Sequence, residues 1–328
     1  MNVIGIGNAL VDVILPVESD NILKELDLPK GSMQLIDRKW LRRIQKGTSH
    51  VKAELASGGS AANTVHGLAA LGVETGFIGS IGEDEFGSFF ADDLVEKGIK
   101  PLLRFGTEPT GQAMALVSPD SERTFGTFLG SAMELAPDHL EAGRFEGYDM
   151  LYIEGYLVQN HALIEEAVSL AKKAGLKVAL DLASYNVVDD NREFLKHLLL
   201  DYVDLVFANE EESASMTGLE PEQAVLDLQK MCGEAVVKIG SKGALVARGE
   251  KLVHVEAVKA NPVDTSGAGD LFAAGYIYGL SKGLSSRQCG GIGTVLAGKV
   301  IEFMGPKLPG ESWKEIKNTL KSIEGNDE

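Results

Sequence analysis

Apolar runs of strand length alternate along much of the chain with longer segments in which apolar positions recur at helical spacing. Residues 148–154, "YDMLYIE", lead into "HALIEEAVSLAKKAG", where Leu163, Ala167 and Leu170 share one face and Gly175 is placed to cap the helix. The pattern repeats as "KVALDL" (177–182) before "NREFLKHLLL", and as "VDLVFAN" (203–209) before "EEESASMTG" and "PEQAVLDLQKMCG". Strands that are apolar throughout, set between helices, predict a mostly parallel sheet covered on both faces, a doubly wound α/β layer.

Two regions break that rhythm. Residues 112–118, "QAMALVS", and 123–129, "RTFGTFL", are strand-like and joined by the turn "PDSE", which predicts a hairpin. Together with "VDVILPV" near the N-terminus, the hairpin predicts a small discontinuous β-sheet over one edge of the core, a candidate lid. The expected division is an α/β core of residues 1–10, 46–100 and 130–328 and a lid of residues 11–45 and 101–129. The final "EGNDE" is expected to fray.

Composition narrows the function classes. The 328 residues are 44% hydrophobic and 24% charged, with a net charge of −17, which argues against a general nucleic-acid or anionic-membrane surface. A polyanionic ligand must therefore be handled locally. Cys232 and Cys289 have no metal-ligand spacing and form no disulfide framework, so a reducing cytoplasm is expected. The apolar N-terminus lacks a basic leader and contains Asp12, which fits a first strand better than a signal peptide.

Three glycine-rich stretches carry the candidate chemistry. "GIGNAL" (5–10) follows a strand and matches the first two glycines of a dinucleotide fingerprint, which opens a nicotinamide-dependent oxidoreductase as one hypothesis. The third glycine is absent, however, and strand-like "VDVILPV" follows where a helix is needed. "SGGSAANTVHGLAALG" (57–72) places Gly58 and Gly59 before a helix and Asn63 in its first turn, either as a tight turn or as a place where backbone approaches a polyhydroxylated ligand. In "DTSGAGDLFAAG", a helix starting near Gly269 would leave its first amides free for an anion. Gly267, Ala268 and Gly269 can hold charge on a transferred phosphoryl group while Asp270 takes a proton from the attacking hydroxyl. The plain alternative is an aspartate complementing a helix dipole.

Taken in order, "GGSAANTVHGLAALG", "ERTFGTFLG", "LYIEGYL", "FANEEE" and "DTSGAGDLFAAG" resemble the PfkB or ribokinase-like family of sugar and nucleoside kinases. "GNALVD", "KGSMQLID", "TFLGSAMEL" and "GPKLP" look most like its bacterial adenosine-kinase-like branch. The resemblance implies ATP and Mg2+, a sugar or nucleoside substrate, Asp270 as the catalytic base and Gly267–Gly269 as the anion hole. It further implies that Asn8, Asp12, Gly58, Gly59, Ser60 and Asn63 hold the sugar hydroxyls and that Arg123 is a lid arginine near the transferred phosphate. Asn209 and Glu212 match the family's Asn-x-x-Glu, tied to magnesium and the nucleotide phosphates. Gly240 and Gly243 match the nucleotide cleft, and Asp264 a monovalent-cation ligand, K+ being the expected ion. Thr294 stands where related kinases often carry asparagine near the nucleotide. Glu154 is a further pocket candidate, and Met33 and Gln34 are lid residues placed to touch a base.

Each of these roles has a bland counterpart: a solvated strand residue for Arg123, an ordinary helix cap for Asn209 and Glu212, a paired core carboxylate for Glu154. The expected reaction is phosphoryl transfer to a primary hydroxyl, adenosine being the first candidate acceptor. A ribose, fructose or ketodeoxygluconate kinase is the alternative within the family, and a non-catalytic sugar-binding protein the alternative outside it. An exposed edge of the lid sheet leaves both monomer and homodimer open.

Overall fold

The structure, a computed structural model, describes residues 1–120 and 122–325. The N-terminal part runs β1 (Val3–Ile6), β2 (Leu10–Pro16), α1 (Asn21–Glu25), β3 (Met33–Leu35), α2 (Arg38–Gly47), β4 (Glu54–Gly58), α3 (Ser60–Ala70), β5 (Thr75–Ile81) and α4 (Glu85–Glu96). Three strands follow, β6 (Ile99–Phe105), β7 (Gly111–Val117) and β8 (Arg123–Phe128). The central part is β9 (Met150–Glu154), α5 (His161–Lys173), β10 (Lys177–Asp181), α6 (Tyr185–Asp201), β11 (Leu205–Asn209), α7 (Glu210–Thr217) and α8 (Pro221–Cys232). The chain closes with β12 (Glu234–Lys238), β13 (Ala244–Arg248), β14 (Lys251–Val255), α9 (Ala268–Ser281), α10 (Ser286–Val300) and α11 (Ser312–Glu324).

Nine strands form one sheet in the order β14-β13-β12-β11-β10-β9-β1-β5-β6, parallel except where β13 pairs with its two neighbours. The side-chain period of two distributes its apolar residues to both faces. Tyr152 and Phe207 enter the layer under α3, α9 and α10, whereas Leu151, Ile153, Val206 and Ala208 enter the layer under α5, α6 and α8. The doubly wound α/β expectation from the strand and helix alternation therefore holds. Among the described residues, no helix is long and apolar enough to cross a membrane.

A second sheet has the order β3-β8-β7-β2-β4, with β7 and β8 antiparallel from Gln112↔Phe128 to Val117↔Arg123. Sheet membership shifts two of the expected boundaries. β4 pairs antiparallel with β2, from Leu10↔Gly58 to Ile14↔Glu54, so residues 54–58 join the small sheet and not the core. β6, expected in the lid from residue 101, instead pairs in parallel with β5 at the edge of the large sheet. An edge strand tolerates Pro101, which has no ladder amide to donate. α6 begins at Tyr185, capped by Ser184, and Asn191 marks a kink (φ −127°, ψ 21°) and not its start. Ser121 of the "PDSE" turn and residues 326–328 of the C-terminus lie outside the described residues.

Candidate active site

The carboxyl ends of five adjacent strands each deliver a polar side chain to one crevice, the place where open parallel sheets bind ligands. These are Asn8 just beyond β1, Glu154 ending β9, Asp181 ending β10, Asn209 ending β11 and Lys238 ending β12. The N-termini of α3, α7 and α9 abut the same crevice, and β2, β4 and β8 of the small sheet border it.

α9 starts at Ala268 because Gly267 adopts φ +74°, the left-handed region that glycine enters freely. A Cβ on Gly267 would also lie 2.7 Å from Pro306. Asp270 falls in the first turn, where amides lack helical acceptors. Its carboxylate is fixed from α3: the Ser60 hydroxyl donates to Oδ1 at 2.7 Å and Asn63 Nδ2 donates to Oδ2 at 2.9 Å. Desolvation raises the Asp270 pKa to about 6, against the opposing pull of those two hydrogen bonds and of Lys238. A carboxylate poised there is basic enough to take a hydroxyl proton and still ionised at neutral pH.

The substrate side is shaped by the glycine pair before α3. Gly59 caps the helix at φ +97°, and a Cβ there would sit 2.1 Å from the Asn8 carbonyl oxygen. A Cβ on Gly58 would sit 2.6 Å from Asp12 Oδ2. Gly59 needs glycine for its φ and its backbone contact, and at Gly58 an added methyl would press on the Asp12 carboxylate. Asp12 is itself desolvated, and its pKa rises to about 6 although Lys307 and Arg123 pull it down.

Glu154 is tied to both neighbouring loops. It is buried, accepts from Asn8 Nδ2 at 2.6 Å through Oε1, and accepts from the Ala61 amide at 3.0 Å through Oε2. Burial pushes its pKa up to about 7 despite these donors. The carboxylate thus orients Asn8 and meets a first-turn amide of α3.

Arg123 opens β8 and reaches from the small sheet to the loop before the anion hole. Its Nη1 pairs with Asp264 Oδ2 at 2.7 Å, and its buried Nε and Nη2 have no partner among the described residues. Asp264 also accepts from the Ser266 amide at 3.0 Å and the Gly305 amide at 2.6 Å. This carboxylate, expected to ligate a monovalent cation, pairs with Arg123 through Oδ2 and accepts one backbone amide at each oxygen.

Asn209 and Glu212 form a reciprocal cap. The Glu212 amide donates to Asn209 Oδ1 at 2.8 Å, while the Asn209 amide and Nδ2 donate to the Glu212 carboxylate at 2.8 and 2.7 Å. Burial and nearby Asp181 raise the Glu212 pKa to about 7. The turn after β12 supplies Gly240 (φ +56°) and Gly243 (φ +98°), and a Cβ on Gly243 would meet the Val255 carbonyl at 1.9 Å.

The pfkB family carbohydrate kinase pattern matches residues 42–313. The chain belongs to this family of kinases. An adenosine kinase from Sinorhizobium meliloti superposes with a TM-score of 0.86 at 33% identity, covering 97% of this chain and 99% of the other. A probable sugar kinase from Rhizobium etli gives 0.86 at 32% identity, covering 97% and 98%. A ribokinase of Arabidopsis thaliana is 31% identical over 86% of this chain and 77% of its own length. PfkB kinases are phosphotransferases that act on hydroxyl groups, and so is this one.

Within the kinase, Ser60, Asn63 and Asp270 join directly, Asn8 joins Glu154, and Arg123 joins Asp264. Other expected residues lie apart from this network. Met33 is 54% exposed on the edge strand β3, Gln34 Nε2 donates to Ser32 Oγ at 3.4 Å, and the buried Thr294 hydroxyl returns to the Gly291 carbonyl of its own helix. Two groups went unnoticed in the sequence. Lys238 pairs with Asp181 at 2.9 Å, and although burial disfavours the ammonium, Asp181 and Glu212 outweigh that and raise its pKa. Lys307 of "GPKLP" meets Ser57, His66 and Asp93, tying the loop after α10 to β4, α3 and α4. The available signal was a charged residue directly after three apolar ones at the carboxyl end of a parallel strand, which both Asp181 and Lys238 satisfy.

Proposed function

We propose that this PfkB kinase transfers the γ-phosphoryl group of ATP to the primary hydroxyl of a nucleoside, adenosine being the first candidate. The observation that carries the reading is the Asp270 carboxylate, held by Ser60 and Asn63 in the first turn of the helix that follows left-handed Gly267. Asp270 orients the acceptor hydroxyl and takes its proton as the bond to phosphorus forms. The Gly267–Gly269 amides and the unsatisfied edge of Arg123 face the charge that builds on the transferred group. Asn8, Asp12 and Asn63 hold the sugar hydroxyls, with Glu154 keeping Asn8 in place. Closure of the small sheet over the crevice keeps water from competing as acceptor.

The family's use of ATP with a divalent metal fits the acidic side of the crevice. Among the described residues no three His, Cys, Asp or Glu side chains make a metal cage. Magnesium suits such a site, since it keeps several waters and takes one or two carboxylates plus substrate phosphates. Glu212 would hold it, and bound there it would neutralise charge on the nucleotide phosphates. Asp264 is the candidate ligand for a monovalent cation: Oδ2 accepts from Arg123 and the Gly305 amide, while Oδ1 accepts the Ser266 amide and keeps further acceptor capacity. We place the protein in the cytoplasm, in line with its two free, buried cysteines.

A free-sugar acceptor is the second reading, supported by the ribokinase at 31% identity. ADP release measured with adenosine, inosine, guanosine, cytidine, ribose, fructose and ketodeoxygluconate separates the two. Turnover with a nucleoside and none with free sugars is expected. Turnover with a free sugar alone would overturn the acceptor while leaving the chemistry at Asp270 intact.

A further inference from the structure

We infer that Lys238 is a phosphate-positioning residue, held by Asp181 against the Gly267–Gly269 loop so that its ammonium stands behind the phosphoryl group in transfer. The inference rests on the kinase reading above and adds a residue that neither the glycine motif nor the Asn-x-x-Glu pair contains.

Lys238 is largely but not fully buried, with 17% of its side chain exposed. Lys238 Nζ lies 3.1 Å from the position a Cβ on Gly269 would occupy, so the ammonium fills the space beside the anion-hole backbone that a side chain at 269 would otherwise take. The absence of a side chain at Gly269, whose φ is not in the left-handed region, lets the ammonium come this close to the backbone. An ammonium carries three donors. Among the described residues only Asp181 Oδ2, at 2.9 Å, accepts from it, which leaves two N–H groups uncommitted.

Charge points the same way. Asp181, Glu212 and Asp270 all lie close enough to act on Lys238 electrostatically, an excess of negative charge in a crevice that must admit a polyphosphate. One fixed cation at that spot offsets repulsion between the nucleotide and these carboxylates, and it does so at the helix end where the amides already favour an anion. Lysine acts on phosphate as a point charge, so placement beside Gly269 matters more than fork geometry.

The rival account is that Lys238 merely neutralises Asp181. A double-substitution cycle separates the two, because removing one partner of a buried pair exposes the other charge, whereas removing both leaves no charge unpaired. Wild type, Lys238→Met, Asp181→Asn and the double variant would be assayed for kcat, for KM toward ATP and adenosine, and for ATP affinity by calorimetry without metal or acceptor. Lys238→Met is expected to lose ~100-fold in kcat/KM for ATP, the scale of one lost charge-stabilising donor. Its KM for adenosine should stay within about threefold of wild type, its metal-free ATP affinity should drop about tenfold (~1.4 kcal/mol), and the double variant should remain impaired.

Recovery of the double variant to within about threefold of wild type would make the pair structural and overturn the inference, as would an unimpaired Lys238→Met. Should Lys238→Met fail to fold, Lys238→Arg decides by the same split, because it keeps the ion pair and displaces the charge from Gly269. A wild-type protein inactive on every acceptor would instead remove the kinase reading itself.

Discussion

Gly5-Ile6-Gly7-Asn8 and Gly267-Ala268-Gly269-Asp270 share a Gly-x-Gly-polar spacing, and the structure uses them for different ends. In the first, each glycine makes room for a neighbour: a Cβ on Gly5 would lie 2.7 Å from Val65, and one on Gly7 would lie 2.6 Å from Glu154 Oε2. The chain then continues as β2, whose amides are consumed by pairing with β4 and β7. In the second, Gly267 turns the backbone through φ +74° and α9 begins at once, so the amides of its first turn have no helical acceptor. Spacing alone reports a crowded backbone. The element that follows decides whether that backbone can hold an anion, which is why the first loop positions Asn8 and the second carries Asp270.

The largest effect that would break this contrast is at Asp270. Asp270→Asn should lower turnover at least ~100-fold, because the amide cannot accept the hydroxyl proton. Next is Arg123→Met, expected to cost about 30-fold in kcat by removing a charged donor from the anion-hole side, with little change in acceptor KM. Asn8→Ala tests the other loop: the KM for the acceptor should rise about tenfold, the loss of one good hydrogen bond, with a smaller change in kcat. Gly7→Ala should leave the chemistry in place but destabilise the fold by ~1–3 kcal/mol, since the added methyl presses on Glu154 and Ala61, and a thermal melt would show it.

A smaller effect sharpens the role of Glu154. Its pKa rises from 4.5 in a free side chain to about 7 in the fold. Between those values the folded protein holds a proton that the unfolded chain has released, so this group makes stability fall as pH rises from about 4.5 to 7. Glu154→Gln cannot titrate, so the Tm of wild type relative to the variant should decline across that window. A difference that stays flat with pH would remove the buried, protonatable carboxylate from the account.

How much of this was legible beforehand follows the range of the interactions. The alternation from β9 to α8, the glycine turn before α3 and the start of α9 depend on neighbouring residues, and all three are plain in the sequence. Sheet membership of β4 and β6 depends on partners far along the chain, and short strands of similar composition do not announce which sheet they join. The same holds for side-chain roles. Asp264 meets Arg123 because β8 brings that residue onto it, and Glu154 meets Asn8 and the Ala61 amide because β9 lies beside β1 and below α3. Lys238 and Asp181 meet only because β10 and β12 flank β11 in one parallel sheet.

The central claim, that Asp270 is the base of a phosphoryl transfer, is tested most directly by comparing ATP-dependent phosphorylation of the preferred acceptor by wild type and by Asp270→Asn. The variant's fold and ATP affinity would be verified in the same preparation. The account predicts a variant that binds ATP normally and turns over at least ~100-fold more slowly. A variant that phosphorylates the acceptor within about threefold of the wild-type rate would contradict it.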